Sequence, residues 1–186
     1  MRKIALLFLT LSCLPAAGQS AANNGLQQEL VENWVDGAWQ NLLSRTITQD
    51  ANGYKQQQIE STWDVPTSQW KLYEKTDYTV TADGNIDIQT AQHWSSDNLA
   101  YSNFLLTNHT YNTAGQLVTA VSKGWTNGEW SNAYRRNFYY EGGQLVEYLY
   151  ELWNGSASYP DKKIVYTSDN TERIIQEIHY LYDANT

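Results

Sequence analysis

Four glycines stand ten residues ahead of four tryptophans: Gly53 before Trp63, Gly84 before Trp94, Gly115 before Trp125 and Gly143 before Trp153. With Trp34 included, the tryptophans recur at intervals of 29, 31, 31 and 28 residues. This period constrains the chain more than its composition does. One supersecondary unit recurs, and each copy buries its apolar side by lying against the next. The expected fold is therefore an array.

The ten residues ending at each tryptophan read as a strand. Eight positions before it stand Leu26, Lys55, Ile86, Leu117 and Leu145; four before it stand Leu30, Ile59, Thr90, Val121 and Leu149. Polar residues hold most places two and six before it, among them Gln28, Gln57, Thr119 and Glu147, then Glu32, Ser61, Gln92, Lys123 and Glu151. Ile174, Ile178 and Tyr182 continue the frame, with tyrosine in the tryptophan place, for six copies in all. A spacing of four fits helix or strand. The β-branched and aromatic content of Leu145–Trp153 and Leu117–Val121, each opening just after a turn glycine, selects strand. Leu26–Trp34, with its Gln-Gln-Glu, is the copy most compatible with helix. Even offsets share a strand face, so the residues at minus eight, minus four and zero are expected together, on a thin sheet partly solvated on both sides.

A second strand follows each tryptophan. Trp34-Val-Asp-Gly-Ala-Trp39 and Trp125-Thr-Asn-Gly-Glu-Trp130 share a Trp-x-x-Gly-x-Trp form whose Asp-Gly and Asn-Gly pairs signal tight turns. Trp63 with Trp70, Trp94 with Tyr101 and Trp153 with Tyr159 are looser versions. Basic residues recur near the middle of the second strand: Arg45, Lys75, Arg136 and Lys163. The turns into the next unit are Asp50–Gly53, Thr81–Gly84, Asn112–Gly115 and Glu141–Gly143, with Asn170 taking the glycine place in the fifth. The predicted fold class is all-β: a repeat array of about five to six antiparallel hairpins with period 28–31, some eleven strands, meandering through a single twisted or curled sheet. The tryptophans would form a row near one edge.

Arg2 and Lys3, the apolar run Ile4–Leu14 and the small residues Ala16-Ala17-Gly18 read as an export signal, cleaved near Gly18. That makes residues 1–18 the signal peptide, 19–24 a flexible lead-in and 25–186 the hairpin-repeat domain. The apolar run is too short to span a bilayer as a helix, so no membrane span is expected after cleavage. A lipid anchor at Cys13 fits poorly, because Thr10-Leu11-Ser12 is a poor lipobox. Cleavage removes that only cysteine and changes the net charge from −8 to −10. Stability without disulfides must come from packing and hydrogen bonds. The acidic balance argues against nucleic acid and anionic membrane as partners. The expected location is secreted or cell-envelope.

Tyr111-Asn-Thr-Ala-Gly115-Gln-Leu117 and Tyr140-Glu-Gly-Gly143-Gln-Leu145 resemble the YD repeat of RHS-type proteins, Tyr-Asp-x-x-Gly-Arg-Leu, and Gly84-Asn-Ile86 keeps its tail. The whole unit is similar to the short tryptophan-rich repeats of proteins exported by Bacteroidetes-type bacteria. Asn112 and Glu141 stand in the Asp place and Gln116 and Gln144 in the Arg place. The resemblance covers nearly all of the expected mature chain and implies stacked hairpins. Large RHS proteins coil many hairpins into a shell around cargo, which five or six units cannot close. The repeat brings no catalytic residue with it.

The residues themselves point away from catalysis. His93, His109 and His179 occupy different places in the repeat and share no metal-ligand spacing. Glu147 and Glu151 share a strand face, but an acidic array offers many accidental carboxylate pairs. No nucleophile motif or phosphate loop stands out. The expected function is non-enzymatic, without cofactor or metal: a surface or secreted binding module. The alternative is a carbohydrate-binding protein whose Trp34, Trp39, Trp63, Trp70, Trp94, Trp125, Trp130 and Trp153 stack on sugar rings. Their strict register favours a packing role for the same residues. Trp125–Trp130 also resembles the cell-wall choline-binding repeat, although here the tyrosine pair follows nine residues later. A small outer-membrane β-barrel is the third reading. It lacks a clean apolar alternation, and the mean hydropathy is −0.59. The expected partner is a protein or a polysaccharide, and open sheet edges could add self-association.

Overall fold

The computed structural model describes residues 4–9, 26–169, 171 and 173–182. The described residues form strands joined by turns, and no helix occurs among them. The strands are β1 (Ile4–Leu9), β2 (Leu26–Val35), β3 (Ala38–Gln49), β4 (Lys55–Asp64), β5 (Gln69–Val80), β6 (Ile86–Ser95), β7 (Ala100–Tyr111), β8 (Leu117–Thr126), β9 (Glu129–Glu141), β10 (Gln144–Trp153), β11 (Ser158–Ser168) and β12 (Ile174–Leu181). The fold is an all-β antiparallel meander. From β2 onward it has the eleven strands expected, and Leu26–Val35 is strand despite its helix-compatible residues.

The chain divides into two compact units. One holds residues 1–84 with 89–104, the other 85–88 with 105–186, so β6 and β7 are shared between them. Within each unit, sheet order follows chain order. In the first, β2–β3, β3–β4 and β4–β5 pair antiparallel. In the second, β7 through β12 pair in succession. β1, which lies in the segment read as an export signal, pairs with β2. The lead-in at 19–24 lies outside the described residues.

Turn chemistry sets the hairpins. Asp36-Gly37 and Asn127-Gly128 adopt φ of 49° and 85°, and 53° and 85°. These positive pairs are the type I′ geometry that matches strand twist. The turns between units are held differently. Asp50 accepts the N–H groups of Asn52 and Tyr54 on its carboxylate, each at 2.9 Å. Asn112 accepts those of Ala114 and Gln116 at 3.0 Å. Asp169 does the same for Thr171 and Arg173, at 2.8 and 3.1 Å. Asn170, expected in the fifth glycine place, lies outside the described residues.

Two features stitch neighbouring turns together. The Tyr54 ring lies over Gly84, where any Cβ would enter the ring. The hydroxyls of Tyr111 and Tyr140 donate to the carbonyls of Ile86 and Leu117, at 2.8 and 3.1 Å. Tyr111 and Tyr140 therefore each tie a strand end to the start of the preceding first-type strand.

Bulges recur, and they correct one expectation. Leu42, Tyr73, Ala133 and Asp161 are extra residues on second-type strands. Gln56, Val118, Val146 and Ile175 are extra on first-type strands, seven places before the tryptophan position. An inserted residue inverts side-chain parity beyond it. Lys55, Leu117 and Leu145, at minus eight, therefore face away from the tryptophans instead of sharing their side. The minus-four residues keep the tryptophan side. One bulge precedes each recurring basic residue, so Arg45 and Arg136, six residues beyond Trp39 and Trp130, face away from the tryptophans, while Lys75 and Lys163, five beyond Trp70 and Ser158, share their side.

Few residues are buried, as a thin sheet requires. Among the described residues the buried apolar ones are Ile47, Ala91, Ala120 and Ile164, and the buried polar ones Thr76, Thr107, Ser122 and Glu151. By register, all but Glu151 lie opposite the tryptophan face. In the second unit that side is roofed by leaning rings: Tyr134 and Tyr150 at 5.5 Å, and Phe138 and Tyr148 at 5.3 Å. Small Ala120 and Ser122 leave room beneath them, and Thr107 and Ser122 hydroxyls bond at 2.8 Å.

Candidate functional site: the tryptophan face

Each tryptophan closes a hairpin. Trp34 faces Trp39, Trp63 faces Trp70, and Trp125 faces Trp130 directly across the strands. In the tight hairpins Val35–Ala38 and Thr126–Glu129 flank the turn, so the tryptophans fall one step further in. There the alternating ladder brings side chains closest. The rings meet edge to face, with centroids 5.2, 5.0 and 4.9 Å apart and planes at 65–70°. Trp94 makes the same contact with Tyr101, at 5.0 Å and 69°. This geometry aligns a positive ring edge with a negative ring face.

Trp153 departs from the pattern. Its cross-strand partner is Ser158, while Tyr159 stands opposite Leu152. The expected Trp153–Tyr159 pair is thus not formed. Ser158 serves a polar network instead. Its hydroxyl donates to Glu151 at 3.1 Å and accepts from Arg135 Nη2 at 3.0 Å. Arg135 grips Glu151 with two further bonds of 2.7 and 2.9 Å, and Asn137 adds a fourth donor at 2.6 Å. The Arg135 guanidinium holds the Glu151 carboxyl below its ordinary value, with the Ser158 and Asn137 bonds in support and burial opposing. The Trp153 indole N–H is buried with no acceptor.

The pairs are packed on one side and open on the other. Trp34 is 51% exposed, Trp39 42%, and Trp70 and Trp125 37% each, while Trp63, Trp94, Trp130 and Trp153 are half-buried. All eight tryptophans thus lie on one face of their own unit and at the same end of their hairpins. Pairing brings six of them together as Trp–Trp contacts. The other two take Tyr101 and Ser158.

Next to the pairs in the first unit runs a groove of about 250 Å³, lined by Gln28, Leu30, Asn41, Ser44 and Trp70. Its floor is low because Ser44 faces Ser61 across β3 and β4, two small side chains where other rows carry large ones. The lining offers two amides and a hydroxyl beside an indole and a leucine, with no charged group. These polar residues give no outward signal in the sequence, since only the register gathers them from β2, β3 and β5. The three histidines have separate partners. His93 stacks on Phe104 at 4.0 Å with Glu74 at 3.4 Å. His109 is pushed down by burial. His179 lies 3.2 Å from Glu177 on β12. Among the described residues no three metal-ligating side chains converge.

No family model matches the chain, and no curated protein matches it. Among solved structures it is similar to a protein of unknown function from Bacteroides fragilis NCTC 9343. That likeness has 9% identity and a TM-score of 0.51, over 69% of this chain and 88% of that one. It is also similar to DUF3836 family proteins from Parabacteroides distasonis ATCC 8503 and Bacteroides vulgatus ATCC 8482. The first has 10% identity and a TM-score of 0.42 over 58% of this chain and 92% of that one. The second has 16% identity and a TM-score of 0.38 over 53% and 89%. The likeness to the Bacteroides fragilis protein is one of fold: the all-β architecture is shared.

Proposed function

We propose that the chain is an exported, non-enzymatic binding module that meets its ligand on the tryptophan face. The observation that carries this reading is the half-open pairing. One side of each ring pair closes a hairpin, which accounts for the register, but the outer rings stay in water. Apolar surface of this kind costs solubility unless something covers it. The groove beside Trp70 favours a specific version of the reading. An indole face, two amides and a hydroxyl match a neutral saccharide, which presents C–H patches and hydroxyls together. A polypeptide partner is the alternative occupant. Resemblance to the repeats of exported proteins and the leader-like residues 1–18 support placement outside the cytoplasm.

The test is affinity electrophoresis through gels carrying soluble neutral polysaccharides, with wild-type chain and the Trp70→Ala and Asn41→Ala variants. At least one polysaccharide should retard the wild type, and loss of Trp70 should weaken that binding about tenfold, worth ~1.4 kcal/mol. Retardation unchanged in both variants would remove the groove from the account. No retardation by any polysaccharide would turn the search to protein partners of the same face.

A further inference from the structure

β12 is the last strand of its sheet and pairs with β11 alone among the described residues. Ile174, Ile175, Ile178, Tyr180, Leu181 and Tyr182 are all exposed there. Sheet edges in monomers are commonly blunted by lysine or proline, and β12 has neither. Its outer N–H and C=O groups are a template for one more strand.

We propose that the added strand is β12 of a second copy, paired antiparallel about a two-fold axis through Ile178. The register follows from symmetry and charge. A two-fold axis perpendicular to a sheet must pass midway between a residue and its own twin on the facing strand, because opposed residues share a face. Centred on Glu177, the pairing sets carboxylate against carboxylate, which is destabilising. Centred on His179, it leaves Glu177 opposite Leu181. Centred on Gln176 or Tyr180, it pairs neither Glu177 nor His179 with the other. Centred on Ile178, it sets Glu177 against His179 twice, Ile178 against Ile178, and Gln176 against Tyr180 on both sides. His179 and Glu177 already meet on one face of their own strand, at 3.2 Å. The two-fold would close them into an alternating square of two carboxylates and two imidazoles. The same pairing covers Ile178 and Tyr180. Edge pairing leaves the tryptophan face free, so the inference stands apart from the proposed ligand surface.

The test combines sedimentation equilibrium with site-directed cross-linking on the full chain. The wild type should show a concentration-dependent monomer–dimer equilibrium. Ile178→Lys, at an exposed position, would place two ammonium groups together on the axis and should weaken the dimer about tenfold or more. In a Cys13→Ser background, Ile178→Cys should form an intermolecular disulfide readily, because directly opposed residues lie about 4.5–5.5 Å apart. Gln176→Cys, opposed to Tyr180, should cross-link poorly. A chain that stays monomeric at every concentration overturns the proposal. So does a dimer that survives Ile178→Lys, or cross-linking that favours residue 176.

Discussion

At the scale of single residues, the most constrained side chain is Glu151. It is 6% exposed, the one buried residue on the tryptophan face among the described residues, and it satisfies both oxygens with Arg135, Asn137 and Ser158. Hydrogen bonds to a charged group contribute about 1.5–3 kcal/mol each before entropy and screening, and Arg135 is about one-third exposed. Glu151→Gln should therefore destabilise the chain by roughly 2 kcal/mol in urea unfolding. The pH dependence has a definite sign. The folded carboxyl is held below its ordinary 4.5, so its contribution is intact above that value and drains away as pH falls beneath it. The acid limb of the stability curve should flatten in Glu151→Gln. A variant whose acid limb matches the wild type would show that the network adds no linkage. Asp169, at an exposed turn, is drawn to about 2 by its bonds from Thr171 and Arg173.

At the scale of elements, the hairpin is held by its ring pair. The Trp63–Trp70 contact should carry a coupling of about 0.5–1.5 kcal/mol beyond the loss of either ring alone. A double-mutant cycle with Trp63→Ala and Trp70→Ala measures it by denaturant unfolding. Additive losses would mean that the two rings stand near each other without stabilising the turn. Much at this scale was legible in the sequence. The Asp-Gly and Asn-Gly turns, the spacing of Trp34 from Trp39 and of Trp125 from Trp130, and eleven strands all follow from residue type and period. The bulges do not. Gln56 fills the same bulge place as Val118, Val146 and Ile175, so residue type does not mark it, because a bulge is a property of two paired strands and one strand's sequence holds half the information. Missing them placed Leu117 and Leu145 on the wrong face. Ser158 was hidden for a related reason. The neighbouring Tyr159 has the expected aromatic character, but register gives the place opposite Trp153 to the serine.

At the scale of the whole molecule, burial is thin. A sheet with few buried apolar residues draws its stability from strand pairing, leaning aromatic rings and ties between turns, repeated from one hairpin to the next. The candidate site follows the same logic. The tryptophans were legible because one residue type marks them. The groove was not, since Gln28, Asn41 and Ser44 look like ordinary surface residues until the register gathers them beside Trp70. The central claim is that these tryptophans serve twice, closing hairpins with one side and facing solvent with the other. Acrylamide quenching of tryptophan fluorescence on the folded chain tests that claim most directly. The account predicts two populations: a readily quenched, red-shifted one from Trp34, Trp39, Trp70 and Trp125, and a slower one from the half-buried partners. Uniformly slow quenching with blue-shifted emission would contradict it, leaving the tryptophans as packing residues alone and the face without its ligand surface.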